Sequence, residues 1–362
     1  MFAVYAGALV AAAPVAGHWV DRQGNRRPLL AGVLGLAIAT LLFAFARDPG
    51  LLILGRALQG LAAGVVWTAG LALVAVTHAP QERGKAMGTA LASFSIGTLV
   101  GPPLGGLMSQ WLDPRAPFLL AFAIALADGV ARWILIPSDV SIEPRDAVSE
   151  VRGRPGILLV VILSATGAAL IAFLEPILPL HLFATENASS GAVGLIFGLA
   201  ALAGAVATVL AGFALRWVAP RWLAAAGCLM AAGALLALSG LGHGVVPAGV
   251  GLAVVVFGAS LVLTPTVTVM SEIAEARQPP AYGSVYALYT LAYTGGLTVA
   301  PLAAGLAMQG LGFDGATRVA AAATIAVTVS LVFVGKYRRP AAPDPSRNGE
   351  KLSANSTLLN RN

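Results

Sequence analysis

Residues 157–183 read ILLVVILSATGAALIAFLEPILPLHLF, from Ile157 to Phe183. No lysine or arginine interrupts the run, and its one acid is Glu175. An apolar helix of about 20 residues crosses a hydrocarbon core of about 30 Å. This stretch is long enough to do so. A soluble domain could not keep many such segments out of water.

The rest of the chain has the same character. Hydrophobic residues make up 58% of its 362 positions and charged residues 10%, against about 25% charged in an ordinary soluble domain. Mean hydropathy is +0.84. A disulfide scaffold is excluded, because Cys228 is the single cysteine. The formal net charge of +6 does not point to nucleic acid. The basic residues stand in ones to threes between apolar runs, with no basic patch and no interleaved aromatics. The class that remains is an all-α, polytopic bundle of membrane-spanning helices.

Eleven spans can be read: 2–19, 28–46, 51–77, 86–110, 116–137, 157–183, 190–215, 222–241, 246–271, 282–310 and 315–335. They divide the chain into a transmembrane half at 1–137, a charged linker at 138–156, a second transmembrane half at 157–336 and a polar tail at 337–362 with the composition of disorder. Alternate loops carry the basic residues: Arg22, Arg26 and Arg27; Arg83 and Lys85; Arg145, Arg152 and Arg154; Arg216 and Arg221; Arg277; Lys336, Arg338 and Arg339. The opposite loops carry Arg47, Arg115 and Arg318. The positive-inside rule then puts the linker and the C-terminus in the cytoplasm and Met1 on the outer or lumenal side. No basic region precedes the first span, so no cleaved signal peptide is expected.

The two halves repeat each other. Gly17, Arg26 and Gly32 align with Gly212, Arg221 and Gly227 at a shift of 195 residues. Pro80, Gly84, Gly97, Pro102 and Gly106 align with Pro279, Gly283, Gly296, Pro301 and Gly305 at a shift of 199. The shared register indicates parallel repetition, a common plan among transporters. It leaves the span at 157–183 without a partner. The simplest explanation is a plan of six plus six with the first helix missing.

Three motifs carry a family resemblance. Gly17-His18-Trp19-Val20-Asp21-Arg22-Gln23-Gly24-Asn25-Arg26-Arg27 has the spacing G-x-x-x-D-R-x-G-x-R-R. Arg56-Ala57-Leu58-Gln59-Gly60 has the form R-x-x-Q-G, and Gly97-Thr98-Leu99-Val100-Gly101-Pro102-Pro103-Leu104-Gly105-Gly106 the form G-x-x-x-G-P-x-x-G-G. Together they resemble the major facilitator superfamily, and within it the drug:proton antiporters. Leu174-Glu175-Pro176-Ile177-Leu178-Pro179 and Tyr282-Gly283-Ser284-Val285-Tyr286-Ala287 look like strings of vesicular amine transporters and related exporters. The resemblance implies a twelve-span fold. It also implies a conformational latch at Asp21, Arg22, Gly24, Arg26 and Arg27, a role for Arg56 in proton coupling, and a leak-blocking bend at Gly97, Gly101, Pro102, Gly105 and Gly106. The amine transporters carry further acids in the tenth and eleventh spans. Here those spans have none, and Thr290 stands where the last would fall.

Each of these residues also has a plainer reading. The loop charges can be topogenic only, Arg56 can snorkel to the interface, and the glycines can serve generic small-residue packing. Glu175 is the only acid well inside a span of the second half, and Pro176 and Pro179 follow it. Beside freed carbonyls in a partly dry cavity, its carboxyl could carry a proton or pair with a cationic substrate in alternation. The alternative is a structural hydrogen bond near the outer surface. Asp128 and Arg132 are four residues apart on one helix face, which favours a structural ion pair over a substrate site. Tyr282, Tyr286, Tyr289 and Tyr293 form a helical stripe that faces either a cavity or an aromatic packing seam. Gln59 and Trp67 are further cavity candidates. The sequon at Asn187 lies too near a membrane end to be expected in use.

No P-loop, metal-ligand cluster or catalytic triad is visible, so neither an enzyme nor a cofactor is expected. The reading is a monomeric secondary transporter exchanging protons for a small amphipathic or weakly basic organic molecule. Drug efflux across the plasma membrane or loading of a vesicle or vacuole both fit. The rivals are a truncated relative that does not transport and a proton-driven importer.

Overall fold

The computed structural model describes residues 1–77, 83–136, 157–240, 244–275 and 282–334. The linker charges from Asp139 to Arg154, the residues Pro80, Pro279 and Arg277, and the tail lie outside them. Ten helices make up the described chain: α1 (Phe2–Gln23), α2 (Arg26–Phe45), α3 (Pro49–Thr77), α4 (Arg83–Trp111), α5 (Ala116–Leu135), α6 (Ile157–Thr185), α7 (Ser190–Ala214), α8 (Pro220–Gly240), α9 (Val245–Glu275) and α10 (Tyr282–Val334). Nine stretches among the described residues are long and apolar enough to cross a membrane; α4, rich in glycine, serine and threonine, is not among them.

The boundaries follow local chemistry. Gly24 ends α1 with φ of 73°, and its N–H donates to the Val20 carbonyl. That left-handed backbone suits glycine, so the glycine of the first motif makes the turn into α2. Asp48 caps α3 by accepting from the Leu51 N–H at 2.9 Å, and Ser189 caps α7 by accepting from the Ala192 N–H at 3.2 Å. A continuous α10 of 53 residues would be about 80 Å long, far beyond a bilayer. It breaks at Gly312, where φ is 70° and ψ −176°. The expected spans at 282–310 and 315–335 therefore exist as two helices, and the bundle has eleven.

The packing has a two-fold logic. In the first group, α1 and α2 both pack on α3, and α2 packs on α5. In the second group, α7 and α8 both pack on α9, and α8 packs on α10. The aligned glycines have the same role in each: a Cβ at Gly32 of α2 would lie 2.9 Å from Val66 of α3, and one at Gly227 of α8 would lie 2.9 Å from Leu261 of α9. The groups differ at α6. This helix packs on α9 and α10 and fills the main core with Leu174, Ile177, Leu178 and Leu182. A Cβ at Gly296 of α10 would collide with the Ala165 carbonyl of α6. Gly97, aligned with Gly296, has nothing within 4 Å of such a Cβ.

The two groups meet through α4 on α7 and α1 on α10. Added Cβ atoms at Gly106 and Gly194 would collide with the carbonyls of Ser190 and Pro102, and one at Gly198 with the Pro103 ring. Two hydrogen bonds clasp the same end: Gly191 N–H donates to the Gln110 side-chain oxygen at 3.0 Å, and the Ser190 hydroxyl to the Gly106 carbonyl at 3.2 Å. These residues fall in the last third of α4 and the first turns of α7. The clasp therefore lies at the end of the bundle that carries Asp113 and Ser189. Among the antiporter-motif residues, Gly106 and the two prolines make this seam, whereas Gly97 and Gly101 have open faces.

Gly194→Leu should force α4 and α7 apart. In a Cys228→Ala background, a thiol placed by Gln110→Cys should react severalfold faster with maleimide when Gly194→Leu is added. Equal rates would show that the seam tolerates the bulk.

Candidate functional site

Charge burial singles out one place. Glu175 of α6 and Arg56 of α3 interact electrostatically, although they belong to different helix groups. Tyr5 of α1 faces Arg56, and Tyr293 of α10 faces Glu175. Four helices thus converge on one acid, one base and two phenols. Glu175 is followed by Pro176 and Pro179 inside α6, which remove backbone donors where the charge sits.

The Arg56 end is well braced. Its Nη1 donates to the Gln59 side-chain oxygen at 3.4 Å, and Gln59 Nε2 donates to the Thr40 hydroxyl at 3.1 Å. The guanidinium carbon lies 4.5 Å from the centre of the Phe43 ring, a cation–π distance. Phe43 in turn sits 5.1 Å from Phe118 of α5, centre to centre. Gly55 allows the approach, since a Cβ there would lie only 3.3 Å from Phe43 Cβ. Arg56 is thus held within the bundle instead of reaching for the interface. Gln59 is buried and hydrogen-bonds both Thr40 and Arg56.

The tyrosine stripe divides. Tyr289 and Tyr293 stack at 5.7 Å between ring centres. Tyr289 also packs against the cluster of Ile157, Val160, Val269, Met270 and Ile273, so it belongs to a seam. Tyr293 also interacts electrostatically with Glu175. The side chains of Tyr282 and Tyr286 lie outside the described residues. Trp67 stands eleven positions beyond Arg56, about 16 Å further along α3, and is 37% exposed. It is not part of the convergence at Glu175.

The loop motif sits at the opposite end from the clasp. Gly24 makes the turn, and Arg22 and Arg27 are exposed. Arg26 Nη2 donates to the Trp133 carbonyl of α5 at 2.6 Å, tying the loop to the first group. Asn25 is 1% exposed, and both atoms of its amide lack a hydrogen-bond partner among the described residues. The side chain of Asp21 is outside the described residues.

Other polar groups are structural. Arg132 Nε and the Asp128 carboxylate pair at 2.6 Å, both partly exposed, on α5, a helix with no buried residue. Such a pair on the rim of the bundle is an ion pair, not a ligand site. His181 stacks on Phe313 at 4.0 Å, just past the Gly312 break, and Arg318 Nε donates to the Ser239 hydroxyl at 3.3 Å. Both fix the last helix. Among the described residues no group of histidine, cysteine and carboxylates is placed to hold a metal.

The architecture is that of a polytopic helical membrane protein with two matched helix groups. Residues 1–294 match the model of the Major Facilitator Superfamily, and the chain belongs to that superfamily. It is 32% identical over 315 residues to the chromaffin granule amine transporter of Homo sapiens, covering 83% of this chain and 58% of the relative. It is 32% identical over 314 residues to a probable vesicular acetylcholine transporter-B of Danio rerio, covering 83% and 62%. The chain therefore spans about three fifths of the length of the curated relatives it matches. A solved structure of a bacterial homolog to the human lysosomal transporter Spinster, in an inward-facing and occupied conformation, superposes with a TM-score of 0.65 at 17% identity. It covers 92% of this chain and 87% of that one, and the likeness is one of fold.

Sequence reasoning singled out Arg56 and Glu175 and did not single out Tyr5, Thr40 or Phe43, which lie around Arg56. Tyr5 is the one tyrosine of the first span, which was an available signal. Thr40 and Phe43 carried none, because their part depends on how α2 lies on α3.

Asp128→Ala should lower the yield of membrane-inserted protein. Arg132 stands in the last turn of α5, where a lone arginine costs less than the about 2.5–3.5 kcal/mol it costs at a helix centre, so the loss of yield should be modest. Adding Arg132→Ala should recover the yield. A single variant that inserts like wild type would mean that Arg132 finds water or another partner.

Proposed function

We propose that this protein is a proton-coupled antiporter that moves a small amphipathic or weakly basic organic compound by alternating access. The observation that carries the reading is the electrostatic interaction of Glu175 and Arg56, from the two helix groups, inside a Major Facilitator fold. In this reading Glu175 exchanges a proton for a cationic cargo, Arg56 is the fixed countercharge, and Tyr5 and Tyr293 offer aromatic surface to the ligand. The likeness to amine and acetylcholine transporters supports a cationic cargo. The lack of further acids in the tenth- and eleventh-type spans argues for a simpler cation than a biogenic amine bound by several carboxylates. Drug efflux and vesicle loading are both served by this chemistry.

The cytoplasm lies, by the distribution of arginine and lysine, at the end with Gly24 and the linker. The α4–α7 clasp then seals the outer side, and the site opens inwards. The two halves, 1–137 and 157–336, rock about that clasp, and the loop from Asp21 to Arg27 latches them in the opposite state. Plasma membrane and internal vesicle or vacuole membranes are equally compatible locations for a monomer of this kind. The open face of Gly97, set against the filled face of Gly296, supports a further helix beside α3 and α4 in the working protein, equivalent to α6.

The test is flux in liposomes under an imposed pH gradient, followed with an entrapped pH dye across a panel of organic cations. It should be run with the chain alone and with an apolar helix fused ahead of Met1. Glu175→Gln should abolish proton movement while leaving the folded yield unchanged. Retained proton-coupled flux in that variant would remove Glu175 from the mechanism. Asp21→Asn should slow exchange severalfold without affecting insertion; an unchanged rate would reduce the loop to a topogenic signal.

A further inference from the structure

Arg56 is useful to the site only if it stays where Glu175 can meet it. An arginine has a long, flexible side chain, and in a spanning helix it tends to reach for water. Here three contacts oppose that tendency. The hydrogen-bond chain runs from Arg56 Nη1 to Gln59 and from Gln59 Nε2 to the Thr40 hydroxyl, at 3.4 and 3.1 Å. The Phe43 ring lies under the guanidinium at 4.5 Å. Thr40 and Gln59 are each 7% exposed, so neither bond competes with bulk water.

The chain has a direction. Arginine only donates, so the Gln59 oxygen must face Arg56 and its NH2 must face Thr40. Thr40 has to accept. A buried NH2 without an acceptor costs about 1–3 kcal/mol, and turning the amide over to find another would point its donors at the guanidinium. The hydroxyl of Thr40 therefore sets the orientation of Gln59, which sets the reach of Arg56. The other charged or titratable groups at the site are Tyr5 from α1, facing Arg56, and Tyr293 from α10, facing Glu175; neither touches Thr40 in any described bond.

We propose that Thr40 is a positioning residue: its hydroxyl, through Gln59, fixes where Arg56 sits and so how strongly its charge acts on Glu175. This rests on the assignment of Glu175 and Arg56 as the working pair, but its consequence can be read without transport. Dicyclohexylcarbodiimide adds to protonated carboxyls in apolar surroundings, and the adduct on Glu175 can be timed by peptide mass spectrometry on the full chain in lipid. Glu175→Gln provides the blank.

Thr40→Val removes the hydroxyl and keeps the shape, whereas Thr40→Ser keeps the hydroxyl. Releasing Arg56 takes a positive charge from the carboxyl, which favours its protonated form. Labelling of Glu175 should then be at least about threefold faster in Thr40→Val than in wild type, with Thr40→Ser at the wild-type rate. Gln59→Met, which cuts the same chain one link later, should match Thr40→Val and serves if that variant does not fold. A wild-type labelling rate in the folded Thr40→Val or Gln59→Met variant overturns the proposal, as does a Thr40→Ser rate as fast as the valine variant. If labelling behaves as expected but no proton crosses in the liposome assay, the antiport reading fails and the positioning role stands.

Discussion

Hydrocarbon offers no hydrogen bonds, and this constraint accounts for most of what the molecule does with its polar atoms. Ser164, Thr266, Thr317 and Thr328 are buried, and each returns its hydroxyl proton to a carbonyl one helical turn earlier. Cys228 pairs with Thr328. Asp128 neutralises Arg132 on the same helix. Once these local solutions are set aside, Arg56 and Glu175 are unusual: their charges are answered across two helix groups. Polar atoms that are satisfied locally do not care how the groups sit relative to one another. A pair that spans them does, and it is therefore the kind of contact through which the chemistry of a site can report on conformation.

Close packing without large side chains supplies the other half of the design. In lipid there is little hydrophobic drive between helices, so contact depends on backbones coming near each other. Gly32 and Gly227 do this at equivalent crossings in the two groups, and Gly106 and Gly194 do it between them. The Gly60 and Gly64 positions let α3 press on α1, where added Cβ atoms would meet the carbonyls of Tyr5 and Leu9. That crossing matters for the site, because it brings Tyr5 alongside the helix that carries Arg56. A glycine motif that looks generic in the sequence here sets the distance between a phenol and a guanidinium.

How much was legible in the sequence depended on the range of the physics involved. Apolar run length and charged loops are local, so the spans and the turn at Gly24 could be read directly. The repeat register was legible as well, and the matched packing of Gly32 and Gly227 agrees with it. Glu175 and Arg56 stood out because an ion in an apolar run needs a reason. The sequence could not say that they face each other, since α3 and α6 are brought together only by the assembled bundle. It also gave no sign of the partners of Gln59: Thr40 and Arg56 come from the α2–α3 crossing. Tyr289 and Tyr293 share a stripe, yet only the tertiary packing sets Tyr289 against the Ile157 cluster and Tyr293 within the field of Glu175.

A braced arginine changes what a single acid can achieve. If Arg56 could follow Glu175 freely, the pair would stay neutral in every conformation and nothing would be gained by binding a proton. With Arg56 tied to α2 and α3 through Gln59, Thr40 and Phe43, rocking of the second group in the proposed cycle would separate the two charges. Glu175 then has few inexpensive options in a dry interior: it pairs with Arg56, takes a proton, or pairs with a cationic cargo. The bare, unpaired carboxylate is the costly state, and excluding it is what couples proton to cargo in the proposed cycle. Coupling in this scheme needs no second acid, which fits a chain in whose second half no other acid lies well inside a span. It does need a countercharge that stays behind, and the bonds that keep it there lie outside the cavity.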